Sequence, residues 1–326
     1  MSRWDSILDS PDGTLAAEIA SRARNGMVLP EIVFFAFESL LAGRLLASGT
    51  KLLVSDGTVL PDMRLVVLGE SGEGKTLALQ TLDWLFGKAL NLQKTSFALD
   101  APVSAAALFD YLSEGVKGCA HVDHFDFFYQ GLRHQSGGRK RRDMLFRVFR
   151  HEDLSWTTKK DGTRIVTAPA LCILGLAIPS LYAKAYADDG GFFGEHFLVV
   201  HARRRPGPRR WMDGCRDLEP GALGDAWTEL VQSAAGREYV PSAEGVAVHE
   251  ATCRELFACM PETEALRQAE ELHRHALLRH VMCGDGAVLE IGPEPYRWAA
   301  MAMDAHLADE RDLGLPALRR KRPVRP

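Results

Sequence analysis

Apolar positions along this chain recur at helical spacing near both ends and gather into short unbroken runs between them, the pattern of an α/β protein. Residues 15–24 and 31–47 predict helices, the second with Ile32, Phe35, Phe37, Leu40, Leu41 and Leu45 as its apolar residues. Residues 51–54 and 58–60 flank Asp56-Gly57, a dipeptide that favours a tight hairpin turn. The aliphatic run 64–68 reads as a buried parallel strand. A helix over 76–92 follows it, with Leu77, Leu79, Leu82, Leu85 and Phe86 on one face. A helix over 100–114, a strand over 119–122 and a basic helix over 142–150 come next. Residues 154–160 and 163–167 flank Asp161-Gly162 as a second hairpin, and the runs 170–177 and 197–200 predict central strands. Helical spacing then returns over 221–234, 251–260, 263–282 and 295–308.

The segment between the first buried strand and its helix carries chemistry. Gly69-Glu-Ser71-Gly72-Glu-Gly74-Lys75-Thr76 satisfies G-x-x-x-x-G-K-T at every required position, with a strand before it and a helix after it. Glycines let such a loop fold so that successive N–H groups point into one anion-sized hollow, and the helix dipole adds its positive end. Lys75 is then expected to reach the β- and γ-phosphates of a bound nucleotide and Thr76 to ligate Mg2+. The plain alternative is a glycine-rich turn that binds nothing. A second acidic group is expected at the end of a neighbouring strand, and Asp123 in Cys119-Ala-His-Val-Asp123-His124-Phe-Asp126 stands there. His124 follows it and is placed to act as a base near neutral pH, with Asp126 as a further carboxylate. The alternative for Asp123 is a cap on the helix that starts near Phe125.

This order of elements predicts an α/β fold with a P-loop NTPase core and a parallel sheet. The expected organisation is an N-terminal helical segment (1–50), the ATPase core (51–202), a basic linker (203–217), a mainly helical C-terminal lobe (218–312) and a basic, disordered tail (313–326). Composition narrows the class further. A chain with 46% hydrophobic and 25% charged residues is an ordinary globular one. No apolar run approaches the roughly 20 residues of a membrane span, and no signal peptide opens the chain, so the expectation is a cytoplasmic protein. Six cysteines without a CxxC pair fit reduced thiols better than a disulfide frame or zinc site. The net charge of −4 confines any nucleic-acid contact to local basic patches.

Taken together, these motifs resemble the helicase-like P-loop ATPases of phages, plasmids and other mobile elements, a domain of unknown function that often forms the C-terminal half of primase–helicase proteins. The matching features span about 29–306: the helix and hairpin before the loop, GESGEGKT, the strand ending in Asp123, the 142–150 helix, and the Asp161-Gly162 hairpin. APALCILGLAIPSLY, GGFFGEHFLVV and LHRHALLRHVM complete them. The resemblance implies a RecA-like or AAA-like ring ATPase, a homo-oligomer that couples ATP and Mg2+ turnover to movement along DNA in replication, alongside other replication proteins. Three positions depart from that pattern. His124 stands where a glutamate is usual, Ala177-Ile178-Pro179 lacks a polar residue to sense the γ-phosphate, and Glu195-His196 stands where related proteins carry an arginine.

A basic stretch over 133–150 includes Arg139, Lys140, Arg141 and Arg142, and Lys159 and Lys160 on the second hairpin extend it. These six residues are the expected contacts to DNA, single-stranded and non-specific, through phosphates; the alternative is a solvated basic loop. Trp156 either stacks on a base or packs in the core, with packing the stronger expectation. One of Arg203, Arg204, Arg205, Arg209 and Arg210 is a candidate finger on a neighbour's γ-phosphate. His273, His275 and His280 read as surface or satisfied core histidines. A helicase-like ATPase is the leading expectation. A nucleotide-binding regulator or scaffold with little or no hydrolysis is the alternative, motivated by the departures, and a small-molecule kinase is a weaker third.

Overall fold

The structure, a computed structural model, describes residues 3–25, 28–90, 96–98, 104–114, 118–134, 138–158, 162–189, 191, 193–203 and 219–315. The chain opens with α1 (Leu15–Asn25) and α2 (Pro30–Ser48), turns through β1 (Lys51–Val54) and β2 (Gly57–Val59), and enters β3 (Arg64–Leu68). α3 (Lys75–Phe86), β4 (Ser96–Ala98), α4 (Ala105–Ser113) and β5 (Cys119–Asp123) follow. Next come α5 (Phe125–His134), α6 (Gly138–Phe149), β6 (Leu154–Thr158), β7 (Gly162–Val166) and β8 (Cys172–Ala177). The last third holds α7 (Pro179–Asp189), β9 (Leu198–His201), α8 (Gly224–Ala234), β10 (Glu238–Pro241), α9 (Ala243–Cys259), α10 (Glu262–His280), β11 (Glu290–Ile291) and α11 (Pro293–Asp312). The fold is mixed α/β.

A five-stranded parallel sheet in the order β4-β5-β8-β3-β9 lies at the centre. Every residue of β3 and β8 is buried, because helices cover both faces. Alternation along the strands sorts the core in two. Leu65, Val67, Cys119, Leu174, Leu176, Leu198 and Val200 join the cluster that contains α2, α3 and the C-terminal helices. Val66, Leu68, Ala120, Val122, Ile173 and Val199 join the opposite cluster with Phe125, Phe128, Leu145, Phe149 and Tyr182. α2 is buried on nearly every side, packed between this sheet and other helices, which explains a sequence apolar all round.

Most of the expected elements are present, with shifts that have local causes. The first hairpin turns at Ser55 and Asp56, and Gly57 pairs with Val54 as the first residue of β2. That hairpin stays out of the central sheet. It forms a second sheet, β11-β10-β1-β2, in which β1 runs parallel to β10. The strands β4, β10 and β11 have only three, four and two residues, too few to show a period of their own; Lys51 and Glu238 form an ion pair across the β1–β10 ladder, at 2.7 Å. One apolar cluster runs from Trp4 to Leu307, so N- and C-terminal segments share a core. Cys119, Cys172, Cys253, Cys259 and Cys283 are free thiols, while Cys215 lies outside the described residues. Among the described residues, no helix is long and apolar enough to cross a membrane. Most of the expected linker and tail also fall outside them.

A buried ion network fixes the start of β3 to α10. The Arg274 guanidinium, 1% exposed, donates to Asp62 at 2.8 Å, to the Leu60 carbonyl at 3.2 Å and to Glu271 at 2.7 Å. Arg64 reaches the same Glu271 at 3.3 Å. Removing one member leaves the others charged and buried, which costs about 3–5 kcal/mol in such networks. Arg274→Ala is therefore expected to lower unfolding free energy by about that amount in urea denaturation; a loss below about 1 kcal/mol would show that water or neighbours compensate.

Candidate functional site

β3, β5 and β8 end at one edge of the central sheet, and the chain leaves β3 and β8 toward opposite faces. α3 packs in the first cluster; α5 and α7 pack in the second. Adjacent parallel strands whose following helices diverge leave a crevice at their carboxyl ends. Here that crevice is an open cavity of about 450 Å3, lined by Ser71, Gly72, Gly74, Lys75, Thr76, Leu77, Gln80, Asp123, His124 and residues 176–178.

The glycine-rich loop is anchored to the sheet and then bends away from it. The Gly69 N–H donates to the Ala177 carbonyl at 3.1 Å, which carries the β3–β8 pairing one residue further. Gly72 and Gly74 both take φ of 79°, a left-handed conformation that other residues adopt at a cost. Gly74 caps α3 with no side chain bonded to its first turn, so the N–H groups there have no side-chain acceptor. Three helices start at the cavity wall, α3 at Lys75, α5 at Phe125 and α7 at Pro179, and their dipoles all make it attractive to anions.

Lys75 folds its ammonium back on the loop, donating to the Gly69 carbonyl at 2.7 Å and the Glu70 carbonyl at 2.9 Å. Desolvation lowers its pKa, against the opposing pull of Glu73, Asp123, Glu70 and Asp126. The Thr76 hydroxyl donates to Asp123 Oδ2 at 2.9 Å. Neighbouring ligand oxygens on an octahedral Mg2+ with bonds of about 2.1 Å sit roughly 3 Å apart, so this pair fits one such ion. Among the described residues no cluster of three His, Cys, Asp or Glu side chains forms a metal cage. Two protein oxygens completed by phosphate and water are the usual setting for Mg2+.

His124 is exposed at the pocket mouth with φ of 58°, and its N–H donates to Asp123 Oδ1 at 3.2 Å. Asp126, 6% exposed, has an Oδ1 atom without a hydrogen-bond partner. Burial pushes its carboxyl pKa up, partly offset by the Ile178 N–H and by His124 and Lys75 nearby. Ser71, Gly72, Gly74, Lys75, Thr76, Asp123 and His124 line this one cavity, while Gly69 stands behind it, bonded to Ala177. Gln80 was not foreseen, whereas Ala177 and Ile178 stand in the wall at the strand end already noted for lacking a polar residue. Gln80 lies one helical turn beyond Thr76, and the apolar wall belongs to the strand that pairs with β3, so only topology brings it in.

The expected basic surface is divided. Arg139 and Lys140 are exposed on the first turn of α6, but Arg141 is 5% exposed and Arg142 is half-buried against Asp189 at 3.4 Å. The reason is helical spacing: Arg141 lies on the stripe of Met144, Leu145 and Val148, which faces the core. Lys159 and Lys160 lie outside the described residues. Arg164 bonds Asp110 and covers the Phe109 ring, and Trp156 packs on that ring at 5.9 Å. Arg203 pairs with Asp312 at 2.5 Å, and the other four candidate finger arginines are outside the described residues. His273, His275 and His280 bond Tyr296, Glu38 and the Val288 carbonyl respectively, as interior histidines, although the buried His275 Nε2 has no hydrogen-bond partner among the described residues.

Glu195 and His196 do not line the cavity. His196 packs against Phe146 and Phe149, ring centres 5.2 and 5.5 Å away, and burial pushes its pKa down to about 3, aided by Arg64, Arg267 and Arg150. It stays neutral in the folded protein, while the unfolded chain binds a proton below about pH 6.5. Stability carried by this group is thus intact above that pH and lost as pH falls toward 3. Urea titrations between about pH 6 and 4 should show His196→Phe losing close to 1.4 kcal/mol per pH unit of acid sensitivity. An unchanged slope would mean that His196 charges within the fold. Beyond the geometry, no family model matches this chain, and no curated protein matches it.

Proposed function

We propose that this chain has a P-loop NTPase core of RecA or AAA-like type. In this reading it binds ATP with Mg2+ in the switch-point cavity and hydrolyses it as a helicase-like protein acting on DNA in replication of a mobile element. The observation that carries the reading is convergence. The G-x-x-x-x-G-K-T loop, the Lys75 ammonium and the Thr76–Asp123 pair meet at one cavity, at whose wall three helices begin. Lys75 and the open amides of the first turn of α3 would bind the β- and γ-phosphates, and Thr76 and Asp123 would hold the metal. Mg2+ supplies charge neutralisation of the phosphates when bound. His124, which lines the cavity, would take a proton from the attacking water in this reading. As in ring ATPases, the chain would act as a homo-oligomer, with a neighbouring copy supplying a cation for the transition state. A replication role of this kind belongs in the cytoplasm, beside other replication proteins.

The second reading, a nucleotide-binding regulator or scaffold with little hydrolysis, is favoured by the wall opposite the loop. Leu176, Ala177 and Ile178 offer the γ-phosphate no polar side chain, and position 124 holds no carboxylate. ATP turnover measured with and without single-stranded DNA separates the two. The motor predicts stimulation by DNA and its loss in Lys75→Ala, with ATP affinity falling by roughly tenfold or more as charge-assisted bonds are removed. Firm ATP binding without turnover, DNA present or not, would favour the regulator. No ATP binding in the wild type would remove both.

The DNA contact rests on Arg139 and Lys140. Replacing both with alanine is expected to weaken single-stranded DNA binding and lower the slope of log affinity against log salt by roughly 1.4, two phosphate contacts at about 0.7 each. Replacing Arg141 instead should destabilise the fold and leave that slope alone. An unchanged salt slope in the double variant excludes this helix as the DNA surface.

A further inference from the structure

The loop between β3 and α3 contains two glutamates, and the fold treats them differently. Glu70 is exposed, whereas Glu73 is 5% exposed. Ser71, Gly72, Gly74 and Lys75 line the cavity, but Glu73 turns away from it. Its carboxylate accepts from the Glu70 N–H at 2.6 Å, and its own N–H donates to the Glu70 carbonyl at 3.3 Å. The two residues are thus cross-linked twice. Oε2 also sits over Gly69, 3.2 Å from where a Cβ would stand, with Ile32 beside it at 3.4 Å. Lys75 donates to the same Glu70 carbonyl that Glu73 holds.

A carboxylate next to a triphosphate site invites a simple electrostatic expectation: it repels the ligand, and its removal strengthens binding. The placement of Glu73 argues otherwise. Its charge lies under the loop rather than in the hollow, and it is spent on a backbone donor. An N–H bonded to a carboxylate makes a short, strong, charge-assisted bond. The two glycines, at φ of 79°, would otherwise leave the loop many competing conformations.

We propose that Glu73 is a positioning residue that braces the phosphate loop from beneath, holding the nucleotide-free loop in its binding shape. The inference rests on the nucleotide-binding reading above. It predicts a sign opposite to that of charge repulsion. Glu73→Ala should weaken Mg-ATP binding by about tenfold, the loss of one charge-assisted bond. Glu73→Gln, whose amide oxygen still accepts from Glu70, should stay within about threefold of the wild type. Glu70→Gln removes the same charge from an exposed position and should bind Mg-ATP equally well or up to about twofold more tightly.

Calorimetry or fluorescence titration with Mg-ATP on the full chain reads these affinities. Hydrogen exchange of the Glu70 amide, measured without nucleotide, reads the brace independently: Glu73→Ala should speed it by about tenfold or more and Glu73→Gln by much less. Equal or tighter ATP binding by Glu73→Ala, or unchanged exchange at Glu70, overturns the proposal. A wild type that fails to bind Mg-ATP removes the nucleotide reading instead, and the exchange measurement then decides the brace alone.

Discussion

The pairing of β3 with β8, from Arg64 opposite Ile173 to Leu68 opposite Ala177, is the constraint on which the rest depends. Both strands are buried throughout, so they have few ways to pair except with each other and their parallel neighbours. Once they lie side by side, with α3 leaving toward one face and α7 toward the other, the sheet must open at their carboxyl ends. The Gly69–Ala177 bond carries that register into the glycine-rich loop, which therefore begins at a fixed height beside the end of β8. β5, on the far side of β8, then brings Asp123 within reach of Thr76.

Charge of both signs meets at the crevice. Three helix N-termini and the Lys75 ammonium stand at its wall with Asp123, while Glu70, Glu73 and Asp126 lie outside the hollow; all four carboxylates oppose the effect of desolvation on Lys75. Under the proposed function, a triphosphate entering this setting meets favourable backbone donors and unfavourable acids at once. A divalent cation beside Asp123 resolves the conflict. The chemistry of the hollow thus favours a metal–nucleotide complex over a bare anion.

The carboxyl edge is also stiffened from outside the sheet. Asp309, buried in α11, accepts from Trp4 Nε1 at 2.8 Å and from the His201 N–H at 2.7 Å, which ties the N-terminus and the end of β9 to one helix. Burial pushes its carboxyl pKa up to about 6 despite those bonds. The Asp62–Arg274 contact does the same for the entry to β3. Both ties cross between distant parts of the chain, so the C-terminal helices act as part of the frame that holds the site.

What the sequence determined by itself was local: the buried strand at 64–68, the loop from Gly69 to Thr76, the helix after it, and an aspartate closing the strand at 119–123. Each follows from short-range patterning, where spacing of apolar residues and the freedom of glycine decide the outcome. The strands β10 and β11 were not legible, because four and two residues are too few to show a strand period, and they become strands only where β1 and each other supply hydrogen-bond partners. The fate of Arg139, Lys140, Arg141 and Arg142 was not legible either. Four consecutive basic residues look alike in one dimension, but a helix turns each by about 100° relative to the last, so one faces the core while two face water. The same holds for Glu70 and Glu73. Identical side chains three residues apart became a surface charge and a buried acceptor, and only the folded loop, by choosing which one lies beneath Gly69, could separate them.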